Sequence, residues 1–532
     1  MTSLALLAVL AVMLLLARRG WVTLRHYAKP ARLLDPRPHT QTLANTTETM
    51  FARRLALLTA QRPGQTGIYT LEDPREAFAA RMLLIRGAEY SLDIQYYIWH
   101  PDVAGTLLIQ AIREAADRGV RVRLLLDDNG TGGLDTMMAM VDSHPLIEVR
   151  LFNPFVIRWP KTLNYLLDFH RLNRRMHNKS LTADNLLTIA GGRNIGDEYL
   201  ASSDLNLFDD FDVLAIGAVV PDVSADFDRY WACDSAYLAE RILPLADARS
   251  AGNFAKAVAR ASKTGFARNY ADAVRDNFLE GLLSGSIPFD WAMVTMVSDD
   301  PAKGLHYVRR KELFATRLAS IVSAPERELG LISAYFVPTA AGIDSFAALA
   351  ARGVEVDILT NALKANDVAV VHAGYAPCRI PLLKAGVRLW ELKGADPAAR
   401  ARLRFRGSVG GGLRRRGAAF RVSGSALHAK AFTIDRDRMF VGSFNFDPRS
   451  LRLNTELGFV IDSPALAAWL QDLFVGTLPD IAYEVRLGSD GQLIWIEQTA
   501  TGTVIHAHEP GTGPLQRLIL AGLSRLPIRW LL

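Results

Sequence analysis

Hydrophobic and polar positions repeat along the chain in an order that alternates strands with helices. The run SLDIQYYIW at 91–99 predicts a buried strand, and apolar residues at helical spacing over 103–117 predict a helix that leads into the strand VRVRLLLDD. In the second half, the strand LGLISAYFVP at 329–338, a helix across 340–352 and the strand VEVDILTN repeat that order. We therefore expect an α/β fold of two tandem units related by a pseudo-twofold axis, with mixed sheets flanked by helices.

Apolar patterns of another kind occupy the two ends of the chain. The run LALLAVLAVMLLLA at 4–17 is shorter than the roughly 20 residues that span a bilayer, and its positive residues follow rather than precede it. This order fits an uncleaved membrane anchor with the body in the cytoplasm, and export of the body is the alternative. At 515–532, apolar residues at helical spacing stand beside arginines and Trp530. They predict either an amphipathic helix at a membrane surface or a helix packed on its own domain.

Composition limits the class of protein and its division into domains. Of the 532 residues, 50% are hydrophobic, which supports a substantial core and excludes a disordered chain. Basic residues outnumber acidic ones by 61 to 55, a mild preference for anionic partners. Cys233 and Cys378 lie far apart without metal-ligand spacing, so we expect neither a disulfide nor a cysteine-based zinc site. The predicted domains are a membrane anchor and leader (1–40), a first unit (41–285), a second unit (286–510) and an amphipathic tail (511–532).

One pattern of polar residues occurs once in each unit. The first copy reads HNK, an aspartate after four residues, and GGRN after six more; the second reads HAK, an aspartate, and GSFN at the same spacing. The candidate catalytic residues are His177, Lys179 and Asp184 in the first copy and His428, Lys430 and Asp435 in the second. Chance does not explain two such strings in one chain. We infer that each unit supplies one histidine and lysine pair to a single shared site.

The local pattern predicts how these side chains are placed. We predict strands at 176–181 and 186–190, joined by a turn at 182–185. His177 and Lys179 then project to one side, since residues two apart on a strand share a face. Asp184 and Asp435 occupy the turns, where a carboxylate can bond local backbone donors, so they are better structural than catalytic candidates. The supporting neutral donors are Asn194, Ser443 and Asn445, and the neighbouring glycines allow close backbone approach.

Two histidine and lysine pairs around one phosphate suit phosphodiester chemistry without a metal or a cofactor. One neutral imidazole can attack phosphorus, while the other, protonated, gives its proton to the departing alkoxide. Lysines and asparagines would stabilise the negative charge on the phosphate oxygens. The resulting phosphohistidine passes its phosphoryl group to water in a hydrolase or to an alcohol in a transferase.

Two HxKx4Dx6G(G/S)xN motifs on a duplicated α/β body resemble the phospholipase D superfamily, over about 45–485 of the chain. The resemblance implies a carboxylate beyond each motif that orients an imidazole. In the second copy this would be Glu456, and in the first Asp212, where the shorter acid departs from the family pattern; strand-edge charges facing water are the alternative for both. The resemblance also implies that His177 is the nucleophile and His428 the acid, although the symmetry of the motifs leaves the assignment open.

Several stretches around the motifs, RRMHNKS, IAGGRNIGDEY, FDVLAIG and FDRYW, are similar to bacterial cardiolipin synthases, most closely to the C type. This resemblance implies phosphatidylglycerol as the acceptor and phosphatidylethanolamine as the donor of a phosphatidyl group. It also implies a location at the bacterial inner membrane, peripheral or held by a single anchor, with the catalytic body in the cytoplasm. We expect a membrane surface as a partner and no nucleic acid, and a small membrane partner protein stays open.

Two basic stretches of the sequence are candidates for contact with anionic lipid. The stretch 397–434 contains no acidic residue and many arginines, so it could engage anionic headgroups or form a solvated loop. Arg174 and Arg175, just before His177, are candidates for substrate contact. The alternative functions are a phospholipase D-type hydrolase and a phosphodiesterase or nuclease of the same superfamily. A non-enzymatic scaffold protein is disfavoured because every motif position is intact.

Overall fold

The computed structural model describes residues 13, 18–19, 40–44, 48–200, 208–267, 281, 287–366, 368–394 and 426–525. The predicted anchor at 4–17 lies almost wholly outside the described residues, as do most of the arginine-rich stretch and residues 526–532. Within the described part, no helix combines the length and the apolar character needed to cross a membrane.

The first unit alternates strands and helices as predicted. Its strands are β1 (Thr66–Leu71), β2 (Ser91–Ile98), β3 (Arg121–Gly130), β4 (Ile147–Phe152), β5 (Ser180–Ala183), β6 (Leu187–Gly191), β7 (Phe208–Asp209), β8 (Asp212–Gly217) and β9 (Ala236–Leu238). Its helices are α1 (Met50–Ala60), α2 (Pro74–Gly87), α3 (Val103–Asp117), α4 (Asp135–Asp142), α5 (Leu163–Leu172), α6 (Asp197–Leu200), α7 (Val220–Ala232) and α8 (Ala248–Ala261).

The second unit repeats the order and adds a strand pair and a helix. Its strands are β10 (Asp290–Ser298), β11 (Glu328–Ser333), β12 (Glu355–Asn361), β13 (Arg388–Leu392), β14 (Ala426–Leu427), β15 (Lys430–Ile434), β16 (Arg438–Gly442), β17 (Leu457–Asp462), β18 (Ala482–Leu487), β19 (Leu493–Thr499) and β20 (Gly502–His506). Its helices are α9 (Phe314–Ile321), α10 (Ala340–Ala351), α11 (Ala369–Tyr375), α12 (Arg379–Lys384), α13 (Pro448–Arg452), α14 (Pro464–Gly476), α15 (Leu478–Ile481) and α16 (Pro514–Ser524).

The strand order makes the duplication visible. The first unit is ordered β9-β4-β3-β2-β5-β6-β8-β1, and the second β18-β13-β12-β11-β15-β16-β17-β10. In each unit three neighbouring strands are parallel, and the other pairings are antiparallel. Antiparallel pairing of β1 with β10 joins the units into one sheet. The α/β fold with mixed sheets and two related units is confirmed.

Amphipathic helices cover this sheet and form the core. Helix α2 begins at the Asp73 cap and Pro74, and all of its residues from 77 to 85 are buried. In the second unit, Ser463 caps α14, whose Leu466 and Leu470 pack in the cluster that contains Val441. Strands β5 and β6 belong to the first motif and β15 and β16 to the second, so the core holds the backbone of both motifs.

Two predicted features of local structure differ from those observed. The strand after the first motif begins at Ser180 rather than 176, so His177 and Lys179 lie in the extended segment before β5. The C-terminal helix α16 forms, and its Leu520 is buried while Leu515 and Leu518 are exposed. Helix α16 contacts α11, so one side of it packs on its own domain, which is one of the two predicted alternatives.

Candidate active site

His177 lies where the two units exchange backbone hydrogen bonds. Its N–H donates to the Thr455 carbonyl at 2.9 Å, and the Thr455 N–H donates to the Arg175 carbonyl at 2.9 Å. This fixes His177 beside Glu456, whose Oε2 is 2.9 Å from the imidazole Nδ1. The predicted contact between Glu456 and an imidazole is therefore present, and it reaches across to the histidine of the other unit.

His428 has the corresponding arrangement in the opposite direction. Its Nδ1 lies 2.5 Å from Oδ2 of Asp210, a residue of the first unit. The short parallel pair formed by β7 and β14 brings these two segments together. Each unit thus supplies the carboxylate that contacts the imidazole of the other, and neither unit holds a complete pair.

The prediction that Asp212 orients an imidazole is wrong. Asp212 Oδ2 lies 2.7 Å from an amino nitrogen of Arg81 and 3.2 Å from Nε of Arg193, so it forms a buried ion cluster. Gly191 pairs with Asp212 and Gly442 with Gly458, which makes Asp210 the counterpart of Glu456. Residues two apart on a strand face the same side, so the alternating pattern could not separate Asp210 from Asp212.

The two lysines lie against their own histidines. Lys179 Nζ donates to the His177 carbonyl at 2.5 Å, and Lys430 Nζ lies 2.9 Å from His428 Nδ1. Both lysines are buried. Burial and the neighbouring Lys430 lower the pKa of Lys179 to about 7. A negatively charged phosphate beside these lysines would therefore be strongly favoured, because it would offset their mutual repulsion.

The carboxylates make the two halves of the site electrostatically unequal. Burial raises the pKa of Glu456 to about 7. Burial would also raise the pKa of Asp210, but the adjacent His428 and Lys430 hold it at about 2. His428 therefore faces the Asp210 carboxylate, which stays ionised near neutral pH. The carboxyl of Glu456 beside His177 is readily protonated there.

The pKa values of the two histidines also differ, as those of their carboxyl partners do. Burial lowers the pKa of His177 well below its ordinary value, and the charges of Lys179 and Lys430 lower it further. Burial and Lys430 also lower the pKa of His428, but the carboxylate of Asp210 opposes them. The arrangement therefore favours a neutral His177, and Asp210 makes His428 the more readily protonated of the two imidazoles.

The motif aspartates do not reach the imidazoles and hold the backbone instead. Asp184 accepts hydrogen bonds from the N–H groups of three consecutive residues, Glu89, Tyr90 and Ser91. Asp435 does the same for Glu326, Arg327 and Glu328. The donors are remote in sequence rather than local as predicted. Each aspartate ties its motif to the start of the parallel strand beside it, β2 or β11.

The supporting polar residues divide into two kinds. Oδ1 of Asn194 accepts the Ile98 N–H at 3.1 Å, and the buried Nδ2 has no hydrogen-bond partner among the described residues. Oδ1 of Asn445 is held by the Tyr335 N–H at 3.4 Å. Ser443 differs, because its hydroxyl donates to Glu456 Oε2 at 2.5 Å. Its proton is thus committed to the carboxylate, and Ser443 is not the phosphate donor that the sequence suggested.

Gly192 of the first motif is required by its close approach to Asp210. A Cβ on Gly192 would overlap Oδ1 of Asp210, so only glycine admits that carboxylate. Ser443 occupies the matching position in the second copy, where it bonds Glu456. The change from glycine to serine therefore accompanies the change from aspartate to glutamate.

Sequence reasoning missed two aromatic neighbours as well as Asp210. The Tyr97 ring lies edge-on to His177 at 5.0 Å between centroids, and Tyr199 lies edge-on to His428 at 5.2 Å. Tyr97 belongs to the predicted strand at 91–99, but an alternating apolar pattern gives no reason to assign it to the site. Both rings exclude water from one side of an imidazole.

The two arginines before His177 have different roles. Arg175 is buried and forms a salt bridge with Asp127 at 3.1 Å, so it is structural rather than a substrate contact as predicted. Arg174 is half-buried and donates to the Lys303 and Arg452 carbonyls. It forms no salt bridge with an acidic side chain in the described ranges, so its charge stays available.

His100, Asp102 and Glu198 form a group that could hold a metal ion, with ligand atoms within 4.8 Å of one another in the part of the chain that is described. Their polar atoms already have partners. His100 Nδ1 contacts Glu198 at 2.9 Å, and Asp102 accepts the N–H groups of Gly105 and Asp197. The group thus caps α3 and binds it to the segment after the first motif, and we assign no metal to it.

Comparison with known proteins places this geometry in a family. The family model described as "Cardiolipin synthase, PLD-like domain" matches residues 82–231 and 318–477. The chain is 46% identical over 475 residues to cardiolipin synthase C of Escherichia coli (strain K12), covering 89% of this chain and 98% of that protein. An uncharacterized protein of Helicobacter pylori is 30% identical over 486 residues, covering 88% of this chain and 90% of that protein.

A solved structure supports the fold. The crystal structure of phosphatidylserine synthase from Haemophilus influenzae Rd KW20 aligns with a TM-score of 0.52 and 13% identity, covering 91% of this chain and 100% of that chain. At this identity the likeness concerns the fold alone.

Proposed function

The chain belongs to the cardiolipin synthases of the phospholipase D superfamily, and we propose that it transfers a phosphatidyl group to phosphatidylglycerol, with phosphatidylethanolamine as the donor. The observation that carries the proposal is the crosswise pairing of His177 with Glu456 and of His428 with Asp210. It provides two oriented imidazoles in one buried site, which double displacement at phosphorus requires.

In the first step, the free Nε2 of neutral His177 attacks the phosphorus of the donor. A P–N bond forms and the P–O bond to the headgroup breaks, while His428 gives its proton to the departing oxygen. The products of this step are a phosphatidyl group bound to His177 and free ethanolamine. The pKa of His177, lowered by burial and by Lys179, supports its role as the neutral nucleophile.

In the second step, a hydroxyl of phosphatidylglycerol attacks the same phosphorus. Its proton passes to His428, the P–N bond breaks, and cardiolipin leaves with His177 neutral again. The Asp210 carboxylate beside His428 supports both proton transfers, since it stabilises the imidazolium form. His428 acts as the acid in the first step and as the base in the second, so both histidines end in their starting protonation states.

The remaining polar groups would stabilise charge on the phosphate. Lys179 and Lys430 lie beside the histidines, and the Nδ2 groups of Asn194 and Asn445 are oriented because their amide oxygens are held by backbone N–H groups. Fixed donors of this kind act most strongly where the charge grows. This donor set supports catalysis without a metal.

Burial of the site favours transfer over hydrolysis. The relative exposure of His177 and of His428 is 6%, so bulk water reaches the phosphorus poorly. An alcohol carried by a second lipid would be the better placed acceptor.

We place the enzyme at the bacterial inner membrane, peripheral or singly anchored, with its body in the cytoplasm; a small membrane partner protein stays a prediction.

Lipid products identified by mass test the proposal. The full chain would be presented with phosphatidylglycerol vesicles, with and without phosphatidylethanolamine labelled in the headgroup. We expect cardiolipin and labelled ethanolamine, and neither in the matched His177→Ala variant. Phosphatidic acid as the sole product would identify a hydrolase instead. An unchanged cardiolipin yield without phosphatidylethanolamine would identify phosphatidylglycerol as its own donor.

A further inference from the structure

Helix α5, which leads into the first motif, carries apolar residues on its outward side. Its inward side buries Asn164 and Leu167, as expected of a surface helix. Its outward side exposes Leu163, Leu166 (68% exposed) and Phe169, where polar residues are usual. Trp159, just before the helix, is 88% exposed. An apolar face of this kind marks a binding surface rather than a surface adapted to water.

Hydrogen bonds connect this helix to the catalytic histidine. The Tyr165 hydroxyl on α5 donates to Asn129 Oδ1 at 3.1 Å, and Asn129 Nδ2 donates to the Tyr97 hydroxyl at 3.3 Å. The Tyr97 ring in turn contacts the His177 ring at 5.0 Å. Asn129 is exposed while His177 is buried, so this chain of contacts runs from the surface into the site. Helix α5 therefore lies at the rim of the active site, with Leu163, Leu166 and Phe169 exposed on its surface.

The second unit continues the same rim. The His306 ring lies 5.9 Å from the His170 ring of α5, and His306 Nε2 accepts a hydrogen bond from Arg174 Nε at 3.0 Å. The next residue, Tyr307, is 80% exposed. The C-terminal end of α5 in one unit and the segment of His306 and the exposed Tyr307 in the other thus lie side by side.

Basic residues accompany these apolar ones. Arg309, Arg310 and Lys311 follow Tyr307 and are exposed. Like Arg174, none of them forms a salt bridge with a carboxylate within the described ranges. We call this region the rim surface; it comprises Trp159, Leu163, Leu166, Phe169, Arg174, Tyr307, Arg309, Arg310 and Lys311.

We propose that the rim surface inserts into the surface of a bilayer that contains anionic phospholipid, and so sets the entrance of the active site against the headgroups. The proposal rests on the proposed function, because a phospholipid substrate keeps its acyl chains in the bilayer while its phosphate must reach the buried histidines. Exposed tryptophan, tyrosine and leucine beside unpaired cations match an anionic interface. A protein partner would not require this combination at the entrance.

Quenching of a fluorescent probe by lipid tests the contact directly. Leu166→Cys and, as the matched control, Leu57→Cys would be labelled with an environment-sensitive dye in the full chain; Leu57 is 74% exposed and also on a helix, α1. The protein without either substitution corrects for labelling at Cys233 and Cys378. In vesicles of phosphatidylglycerol and acyl-brominated phosphatidylcholine, we expect quenching at position 166 and little at position 57. No quenching at 166, equal quenching at both positions, or dye shielding caused by a second copy would overturn the proposal.

A ratio of two activities separates this proposal from the proposed function. We expect Leu166→Glu to lower the ratio of activity on vesicle phospholipid to activity on a soluble short-chain phospholipid by on the order of tenfold. Leu57→Glu should leave the ratio unchanged. An unchanged ratio for Leu166→Glu would count against the rim surface. A wild-type protein inactive on both substrates would refute the proposed function, and the quenching result would still decide the membrane contact.

Discussion

Nδ1 of His177 lies 2.9 Å from Oε2 of Glu456, although 279 positions separate these residues in the chain. The pair of His428 and Asp210 spans the opposite direction at 2.5 Å. Each imidazole is therefore oriented by the unit to which it does not belong. Catalysis by this site depends on the contact between the units, and the duplication is needed for a single complete centre.

Removal of His428 should trap the covalent intermediate on His177. With a donor whose leaving group is p-nitrophenol, the first step needs no acid, because the phenolate is stable without a proton. The second step still needs a base, so His428→Ala should accumulate a phosphatidyl adduct that intact-mass measurement detects. His177→Ala should show no adduct, and both variants should lose turnover with the natural donor by at least about a thousandfold.

The reverse pattern would exchange the roles of the two histidines. An adduct on His428 in His177→Ala, with none in His428→Ala, would make His428 the nucleophile. Substantial turnover in either purified variant would contradict the paired-histidine mechanism. Thermal unfolding of each variant serves as the control for intact folding.

Asp210 and Asp212 should respond differently to the same substitution. Asp210→Asn removes the anion beside His428 and should lower kcat by on the order of a hundredfold or more, with the melting temperature little changed. Asp212→Asn leaves the buried cations of Arg81 and Arg193 without their carboxylate. It should cost about 3–5 kcal/mol of stability. A kinetic defect in Asp212→Asn at unchanged melting temperature would contradict this assignment.

The order of elements and the two motifs could be predicted from the sequence because each depends on local patterns. The strand at 91–99 and the helix at 103–117 are observed as Ser91–Ile98 and Val103–Asp117. The predicted start of the strand at 176 is wrong, because the backbone of His177 forms a hydrogen bond with Thr455 of the other unit. The local sequence pattern around His177 cannot reveal a hydrogen bond to a residue so distant in the chain.

The same limit applies to the partners of the histidines. Glu456 could be found by its position after the second motif, but its contact with His177 requires the arrangement of the two units. Asp210 and Asp212 are two positions apart, as residues on one strand face would be, and only the pairing of Gly191 with Asp212 distinguishes them. Long-range pairing thus decides which carboxylate serves which imidazole, and the alternating pattern within one strand does not.

The motif aspartates should affect stability more than chemistry. Asp184→Ala leaves the N–H groups of Glu89, Tyr90 and the buried Ser91 without their acceptor in a part-buried turn, which costs about 1–3 kcal/mol. Asp435→Ala should cost less, because its turn is more exposed and water can replace the carboxylate. Thermal unfolding measures the difference. A loss of kcat in Asp184→Ala that exceeds the fraction of protein unfolded would instead indicate a direct catalytic role.

Glu456 should make stability fall as pH rises toward neutrality. Burial raises its pKa in the folded protein to about 7 from an ordinary value of 4.5. The folded state keeps this proton over a range of pH in which the unfolded chain has already lost it. The stability contributed by the protonated carboxyl is complete below about pH 4.5, declines up to about pH 7 and is absent above. The decline amounts to about 3 kcal/mol.

Glu456→Gln isolates this contribution because it keeps the shape of the side chain and removes the titration. Between pH 5 and pH 7, the melting temperature of the wild type should fall by several degrees more than that of the variant. The window ends at pH 7 because Lys179, whose pKa is also about 7, contributes with the opposite sign above it. Asp447→Asn is the matched control, since burial, with a smaller contribution from Glu456, raises the pKa of Asp447 to about 7 without contact to an imidazole. It should remove a similar pH dependence but leave kcat unchanged, whereas Glu456→Gln should lower kcat. Parallel pH curves for the wild type and Glu456→Gln would show that the carboxyl is ionised throughout, and the neutral pairing with His177 would then be wrong.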